Sequence, residues 1–366
     1  MPAKILLVAA ARPNFMKIAP LWRALAARPD AFAPLLVHTG QHYDQNMSAV
    51  FFADLGLPAP DVHLGVGSGT HAEQTAGVML RFEAACREHR PACVIVVGDV
   101  NATMAAAIAA KKLLLDVAHV EAGLRSGDRT MPEEINRVMA DHVSDLLFAP
   151  TEMSARNLRA EGLPENRIHV TGNTIVDAVR ENLEIAAGKG DVLGGLGLRK
   201  GGYILTTLHR QENVDSRERL ANVLIGLERA GRETGLDVIW PMHPRARKNL
   251  ETFGLTHPGN VRAITPLGFL EFLQLEGGAA LALTDSGGVQ EESCILGVPC
   301  VTLRDNTERP ETVDVGANVV VGTEPSRIVE GVRAMLSRKG DWTCPLGENG
   351  AGGRIVNICL ERTNQG

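Results

Sequence analysis

The chain alternates short, almost wholly apolar runs with longer stretches in which apolar residues recur every three or four positions. Apolar runs without polar alternation are typical of parallel strands that are buried on both faces. They predict strands at 4–9, 34–38, 93–98, 117–120, 145–149, 167–170, 203–207, 237–241, 261–264, 281–284, 299–303 and 318–321. The longer stretches predict helices between the strands, for example at 70–89, 101–114, 133–143, 216–230 and 325–337.

The repeated alternation of strand and helix predicts an α/β fold with doubly wound parallel sheets. One stretch, 188–202, interrupts it with seven glycines in 15 residues, a composition poor for helix or strand. We therefore predict two Rossmann-like domains, 1–187 and 203–349, joined by this stretch with a cleft between them. Ligands of such folds bind beyond the carboxyl ends of the strands, so residues at those ends are the candidates for function.

Composition narrows the class of protein further. A length of 366 residues suits two domains. The net charge of −6 argues against nucleic acid as a non-specific partner. The first apolar run is too short for a signal peptide, and no apolar run is long enough to cross a membrane. The six cysteines form no C-x-x-C pair, which predicts neither a disulfide framework nor a metal site. We predict a cytoplasmic protein without membrane partner.

Basic and acidic side chains follow the first and third predicted strands. Arg12 and Lys17 lie at the mouth of the first strand beside a helix N-terminus, which suits either an anion site or solvated surface cations. Asp99 follows the third strand, either as the cap of the next helix or as a carboxylate at the cleft. The two interpretations of Asp99 are compatible.

Carboxylates cluster after the next strand. Glu121 ends an apolar strand, where an acid is unfavourable unless it is paired or used. Glu133 and Glu134 begin a helix after Pro132, where the helix dipole favours acids, and the spacing of Glu133 and Arg137 permits an i,i+4 ion pair. We favour a functional role for Glu121 and, less strongly, for Glu133.

The second half carries two further candidates at strand ends. His209 suits phosphate binding or proton transfer, with a structural histidine as the alternative. A tight turn at Ser286–Gly288 joins a strand to a helix, so successive backbone N–H groups can cradle a diphosphate. Ser286 also suits a helix cap, and Glu292, assigned to the first helical turn, suits the ribose hydroxyls. No HExxH, P-loop or G-x-G-x-x-G motif is present.

The motifs, taken together and in order, resemble the non-hydrolysing UDP-N-acetylglucosamine 2-epimerases. The matching segments are ARPNFMK (11–17), TGQHYD (39–44), GD (98–99), HVEAGLRSGD (119–128), MPEEINR (131–137), GNTIVDA (172–178), HR (209–210), DSGGVQEE (285–292) and RDNTERPE (304–311). The resemblance implies the two-domain GT-B fold, with a last helix at about 350–366 packing back on the first domain. It also implies a homodimer that needs no metal or other cofactor.

The resemblance further implies roles for single residues. The residues that match catalytic positions are Asp99, Glu121, Glu133 and His209. The residues that match substrate-binding positions are Arg12, Lys17, Phe272, Ser286, Gly287, Gly288, Glu292 and Arg309.

The implied reaction is the reversible conversion of UDP-N-acetylglucosamine to UDP-N-acetylmannosamine by elimination and re-addition of UDP, serving polysaccharide biosynthesis. Two alternatives are an epimerase of a related UDP-diacetamido sugar and a hydrolysing 2-epimerase that releases UDP and N-acetylmannosamine.

Overall fold

The computed structural model describes residues 2–10, 12–40, 52, 55–338 and 340–363, with the backbone alone at residues 12 and 13. The chain forms two compact units. Unit 1 comprises Met1–Ala178 together with Leu346–Gly366, and unit 2 comprises Val179–Pro345.

Unit 1 is built on a parallel sheet in which the strand order is β3-β2-β1-β4-β5-β6-β7. Its strands are β1 (Ala3–Ala9), β2 (Phe32–His38), β3 (Val62–His63), β4 (Cys93–Val97), β5 (Asp116–Val120), β6 (Leu146–Ala149) and β7 (Ile168–Val170). Its helices are α1 (Arg12–Ala26), α2 (His71–His89), α3 (Asn101–Lys112), α4 (Pro132–Val143), α5 (Glu152–Ala160) and the start of α6 (Thr174–Ala187). The order reverses between β1 and β4, which makes the sheet doubly wound.

Unit 2 repeats this arrangement with the strand order β10-β9-β8-β11-β12-β13, again all parallel. Its strands are β8 (Tyr203–Thr207), β9 (Asp237–Pro241), β10 (Val261–Ile264), β11 (Leu281–Thr284), β12 (Cys300–Thr302) and β13 (Asn318–Val320). Its helices are α7 (Val192–Gly195), α8 (Gln211–Val214), α9 (Arg217–Thr234), α10 (Pro244–Phe253), α11 (Phe269–Gly277), α12 (Gly287–Leu296), α13 (Pro310–Asp314) and α14 (Pro325–Leu336). Its order reverses between β8 and β11.

The predicted strands are all present, each within two residues of its predicted ends. They were detectable because the central strands are apolar along their whole length: every residue of β4 is buried, and so is every residue of β11. The strand that the sequence missed is β3, which has two residues and is therefore too short to show a pattern.

The Gly-rich stretch at 188–202, predicted to be a linker without regular structure, contains a short helix. It contains α7, which Asp191 caps by accepting a hydrogen bond from the backbone N–H of Gly194. Leu193 packs against the cluster around the buried Tyr203, so the stretch belongs to the core of unit 2. The boundary between the units lies instead inside α6, after Ala178.

The last helix, α15 (Ala351–Thr363), belongs to unit 1. The carboxylate of Asp177 accepts hydrogen bonds from the backbone N–H groups of Gly350, Ala351 and Gly352 at 2.7, 3.2 and 2.8 Å. These are N–H groups that a helix N-terminus leaves without intrahelical partners. A Cβ at Gly352 would lie 3.1 Å from the carbonyl oxygen of Pro20, so the missing side chain lets α15 approach α1 closely.

Replacing Asp177 with Ala is expected to lower the free energy of unfolding by about 1–3 kcal/mol, because three backbone donors, two of them buried, lose a charged acceptor. Amide hydrogen exchange along α15 and the melting temperature measure this loss. Glu184→Ala, at an exposed position of the same helix, is the control and should leave both unchanged. Unaltered protection of the α15 amides in Asp177→Ala would show that the cap contributes nothing.

Candidate active site

The candidate residues lie at the carboxyl edges of the strands where each sheet reverses its order. In unit 1, β1 runs into α1, which carries Lys17, and β4 runs into Gly98 and Asp99. In unit 2, β8 is followed by His209, and β11 by the turn at 285–288. These edges are where doubly wound folds bind ligands.

Glu121 and Lys17 form a buried ion pair. The Lys17 ammonium lies 2.6 and 2.7 Å from the two carboxylate oxygens of Glu121, and Asn173 Nδ2 donates to the same carboxylate at 3.3 Å. Glu121 also has a backbone φ of +72°, in the left-handed region that costs a non-glycine residue about 1–2 kcal/mol. Such strain is concentrated at functional sites, because the surrounding structure must hold it in place.

Gly98 keeps the backbone close to this pair. Its φ is +72°, and a Cβ there would lie 3.0 Å from Asn14 Nδ2 and 3.4 Å from Glu121 Oε2. Asn14 Nδ2 in turn donates to the carbonyl oxygen of Val97 at 3.0 Å, which joins α1 to the end of β4. A side chain at Gly98 would therefore displace both neighbours.

A charged network lies beneath Glu121. His119 is fully buried, with Nδ1 2.7 Å from Asp141 Oδ1 and Nε2 2.8 Å from the carbonyl oxygen of Gly98. Both partners are acceptors, so both ring nitrogens carry protons. Burial alone would lower the pKa of His119, but Asp141, Gly98 and Glu121 together raise it. Burial likewise opposes ionisation of Asp141, yet His119 and Arg125 lower its pKa.

Asp99 binds Arg137 and does not cap a helix. The cap position of α3 is Val100, which has no side-chain hydrogen bond to offer, and the Asp99 carboxylate pairs with the Arg137 guanidinium. Arg137 also pairs with Glu134 at 3.0 Å, so the i,i+4 pair with Glu133 that the sequence permits does not form. Glu133 is half-buried in the first turn of α4.

The pairing of Arg137 with Glu134 is fixed by the loop before α4. The Glu134 carboxylate accepts from the backbone N–H groups of Ser126 and Gly127 at 2.9 and 3.1 Å. Burial opposes its ionisation, but these N–H groups and Arg137 lower the pKa of Glu134. The Glu134 carboxylate is therefore held by hydrogen bonds to the loop before α4, while, within the described residues, its neighbour Glu133 makes no such bonds.

In unit 2, Asp285 orients His209. Its carboxylate accepts from the backbone N–H groups of His209 and Arg210 at 3.1 Å and from Asn213 Nδ2 at 3.2 Å. The same carboxylate lies 3.1 Å from His209 Nδ1, with Asp285 fully buried and the imidazole 43% exposed. Because the carboxylate accepts, Nδ1 carries the proton, and Nε2 is the nitrogen left for a ligand.

The turn at Ser286–Gly288 has the form of an anion site. Ser286 caps α12 by accepting from the backbone N–H of Val289 at 3.5 Å, as predicted. A Cβ at Gly287 would lie 3.7 Å from Glu308 Oε2, and one at Gly288 would lie 3.8 Å from Ser286 Oγ, so each would make only ordinary contacts with side-chain oxygens. The first N–H groups of a helix have no intrahelical partner and carry the positive end of its dipole.

Three of the remaining predicted contacts belong to unit 2. Glu292 is the sixth residue of α12, so it belongs to the second turn and not to the first. Arg309 Nε donates to Glu291 Oε1 at 2.6 Å, so its charge is balanced within the protein. Phe272 packs against the apolar cluster that contains Val289. The side chain of Arg12 lies outside the described residues.

Two other kinds of site are absent from the described part of the chain. Within the described ranges, no group of His, Cys, Asp and Glu side chains is arranged to hold a metal ion. Among the helices that the structure describes, none is long and apolar enough to span a membrane.

Comparison with protein families decides the assignment. The family model described as UDP-N-acetylglucosamine 2-epimerase matches residues 23–360. The chain belongs to the UDP-N-acetylglucosamine 2-epimerase family. The family's enzyme from Methanocaldococcus jannaschii is 48% identical over 361 residues, covering 97% of this chain and 98% of that protein. The UDP-2,3-diacetamido-2,3-dideoxy-D-glucuronate 2-epimerase of Pseudomonas aeruginosa is 41% identical over 335 residues, covering 92% and 93%.

Solved structures agree with this family. The crystal structure of the Methanocaldococcus jannaschii UDP-GlcNAc 2-epimerase in complex with UDP-GlcNAc and UDP matches with a TM-score of 0.88 at 48% identity, covering 98% of this chain and 99% of that chain. Phytolacca americana UGT2 matches in fold alone, with a TM-score of 0.59 at 13% identity. The predicted fold class, two Rossmann-like doubly wound domains of the GT-B kind, is confirmed.

In this member of the 2-epimerase family, the His119–Asp141 pair is expected to make stability depend on pH. A histidine with a raised pKa stabilises fully below its unfolded value of about 6.5, and this contribution is lost as the pH rises through the folded pKa. The difference in melting temperature between wild type and Asp141→Asn should therefore shrink as the pH rises above about 6.5. A difference that stays constant up to pH 9 would mean that His119 is not charged in the folded protein.

Proposed function

We propose that the chain catalyses the reversible 2-epimerisation of UDP-N-acetylglucosamine to UDP-N-acetylmannosamine. The observation that carries this proposal is the 48% identity, over nearly the whole chain, with an enzyme whose structure contains UDP-GlcNAc and UDP. The mechanism follows from what the residues of each unit can do.

The turn at Ser286–Gly288 suits the diphosphate of the substrate. The first N–H groups of α12 lack intrahelical partners, and the helix dipole favours a negative charge there. His209 Nε2 adds a further donor for the same group when the ring is protonated, while Asp285 holds the ring in orientation. Together they stabilise UDP as it leaves C1, where negative charge develops.

The hydrogen at C2 of the sugar is not adjacent to a carbonyl group, so its acidity is low. A general base alone is too weak to remove it. Removal becomes feasible when the bond between C1 and the UDP oxygen breaks with it, giving 2-acetamidoglucal and UDP. Return of a proton to the opposite face of C2, with re-addition of UDP at C1, gives the mannose configuration.

The carboxylates of unit 1 supply the groups that take and return the proton. Glu121, Asp99 and Glu133 are the candidates, and their environments differ. Glu121 shares the Lys17 ammonium, and Asp99 shares Arg137, whereas Glu133 is not held by either cation. Lys17 and Arg137 hold their partner carboxylates in position, which suits a group that takes a proton from a fixed direction.

The test of this function is incubation with UDP-N-acetylglucosamine followed by chromatographic separation and proton NMR of the products. UDP-N-acetylmannosamine is the expected product. Free N-acetylmannosamine with UDP would instead show the hydrolysing reaction. The 41% identity with the Pseudomonas aeruginosa enzyme supports a second candidate substrate, UDP-2,3-diacetamido-2,3-dideoxy-D-glucuronate. Turnover of that sugar alone would replace the first proposal.

UDP is expected to raise the melting temperature of the protein through the turn at Ser286–Gly288. Gly288→Val should abolish this rise, because the branched side chain would occupy the diphosphate's approach to the helix N-terminus, whereas its Cβ would make only ordinary contacts with Ser286 Oγ and Glu292 Oε1. Gly259→Val is the matched control, since nothing lies within 4 Å of a Cβ at that loop position. If Gly288→Val keeps the full UDP-induced rise, the diphosphate binds elsewhere.

We also propose that the protein is a homodimer, as the family resemblance implies. The exposed apolar side chains of Ile135 and Met139 on α4 support it, since exposed apolar surface commonly marks protein contacts. Light scattering after size-exclusion chromatography measures the mass, and a monomer at assay concentration would contradict the proposal.

A cytoplasmic location remains part of the proposal. All six cysteines are free thiols, which suits a reducing compartment. Cell fractionation tests it, and recovery of the protein outside the cytoplasm would overturn it.

A further inference from the structure

Glu276, near the end of α11, is a fully buried carboxyl group that the proposed mechanism does not use. Its Oε1 accepts a hydrogen bond from the Ser293 hydroxyl at 2.7 Å. Its Oε2 has no hydrogen-bond donor in the part of the chain that the structure describes. A buried carboxylate is destabilising when one of its oxygens has no hydrogen-bond donor. A carboxylic acid with its proton on that oxygen needs only a hydrogen-bond acceptor nearby.

The acceptor is a second carboxyl group, that of Glu292. It precedes Ser293 on α12, is 5% exposed, and lies within hydrogen-bonding reach of Glu276. The Glu292 carboxylate also borders the anion site, because a Cβ at Gly288 would lie 3.9 Å from its Oε1. Glu292 therefore faces the turn at Ser286–Gly288, and Glu276 lies behind it.

Two carboxyl groups buried side by side cannot both be ionised at low cost. Burial and the neighbouring Glu292 raise the pKa of Glu276 well above its usual range. The other titratable groups near Glu276 are the Tyr203 hydroxyl on β8 and the Cys300 thiol on β12. Burial, with Glu276 beside them, raises the pKa of both, so neither supplies a compensating charge. The shared proton belongs on the more deeply buried Glu276.

We propose that Glu276 is a neutral carboxylic acid that donates a hydrogen bond from Oε2 to Glu292 and thereby positions the Glu292 carboxylate to bind the ribose hydroxyls of the nucleotide. This inference rests on the proposed function, in which Glu292 contacts the ribose. One lone pair of Glu292 is satisfied by Glu276, which fixes the carboxylate plane. A carboxylate held in a fixed plane presents acceptor oxygens in a defined direction, and the two cis hydroxyls of a ribose are a matching pair of donors.

The experiment measures the affinity of the protein for UDP and for 2′-deoxy-UDP by isothermal titration calorimetry. Glu276→Gln supplies an amide N–H in place of the acid proton and should keep the UDP affinity within about 3-fold. Glu276→Leu supplies no donor and should weaken UDP about 10-fold, as expected for one hydrogen bond to a charged group. The loss should be smaller for 2′-deoxy-UDP, so the preference for UDP should fall in Glu276→Leu alone.

Two readouts separate positioning from folding. Glu276→Leu leaves the buried Ser293 hydroxyl without its acceptor and is expected to lower the melting temperature, whereas Glu276→Gln keeps an acceptor for Ser293 and should not; the ratio of the two affinities, and not the melting temperature, therefore reports positioning. The infrared spectrum of wild type should contain a protonated carboxylic acid band that Glu276→Gln lacks. An unchanged ratio of UDP to 2′-deoxy-UDP affinity in Glu276→Leu, or the absence of that band, would overturn the inference. Failure of wild type to bind UDP would overturn the proposed function itself.

Discussion

Replacing Glu121 with Gln is expected to lower the exchange of the C2 hydrogen of UDP-N-acetylglucosamine with deuterium oxide by ~10²–10⁴-fold. An amide has nearly the shape of the carboxylate but cannot take a proton. It also leaves the Lys17 ammonium without its charged partner, which lies 2.6 Å away in wild type. Because the side chain keeps its shape, the sugar should still bind while proton removal fails.

Mass spectrometry and proton NMR of the recovered nucleotide sugars measure this exchange. In wild type the UDP-N-acetylmannosamine should carry deuterium at C2, and an ¹⁸O label in the bridging position should scramble into the diphosphate. Glu152→Gln, at an exposed position of unit 1, is the control and should behave as wild type. Wild-type product that carries only protium at C2 would rule out elimination and point to a hydrogen that is held internally.

The second large effect is expected from His209→Asn, which should lower turnover by ~10²–10³-fold, the usual loss for one removed electrostatic donor. The imidazole is exposed at the end of β8, so its removal leaves no cavity in the core. Asn can still reach Asp285 but cannot carry the positive charge that a leaving diphosphate needs. Folding should therefore be preserved while the chemical step slows.

Initial rates at saturating substrate measure the turnover, and circular dichroism shows whether the variant is folded. His257→Asn, at an exposed loop position of the same unit, is the matched control. Near wild-type turnover in a folded His209→Asn protein would remove His209 from the reaction and leave the helix N-terminus as the stabiliser of the diphosphate.

The fold could be predicted because its signal is local. The strands β4 and β11 are apolar along their whole length, and the turn at Ser286–Gly288 marks its own strand-to-helix junction. The structure of the Gly-rich stretch at 188–202 was not predicted, because its local composition does not reflect its long-range packing. Its glycines argue against regular structure, whereas the packing of Leu193 on the Tyr203 cluster depends on residues distant in sequence.

The sequence indicates candidate residues for the site, but it does not indicate how their side chains pair. Asp99 and Arg137 are 38 positions apart, and His209 and Asp285 are 76 positions apart. The sequence around one residue of each pair therefore does not identify the other. A structural or functional role for Asp285 could have been predicted, because an acidic residue directly after a buried strand is unfavourable unless it is paired or takes part in function. The burial of Glu276 could not have been predicted, since an acidic residue in a helical pattern normally faces solvent.

The bonds between Asp177 and the start of α15 impose an order on synthesis. Gly350 leaves the ribosome 173 residues after Asp177, and the whole of unit 2 is made in between. Unit 2 is continuous in sequence and can fold as soon as it emerges. Unit 1 must wait, with the surface that α15 will cover still bare, until the last segment arrives. Nascent chains stalled before residue 350 should therefore bind chaperones through unit 1, even though most of that unit was made first.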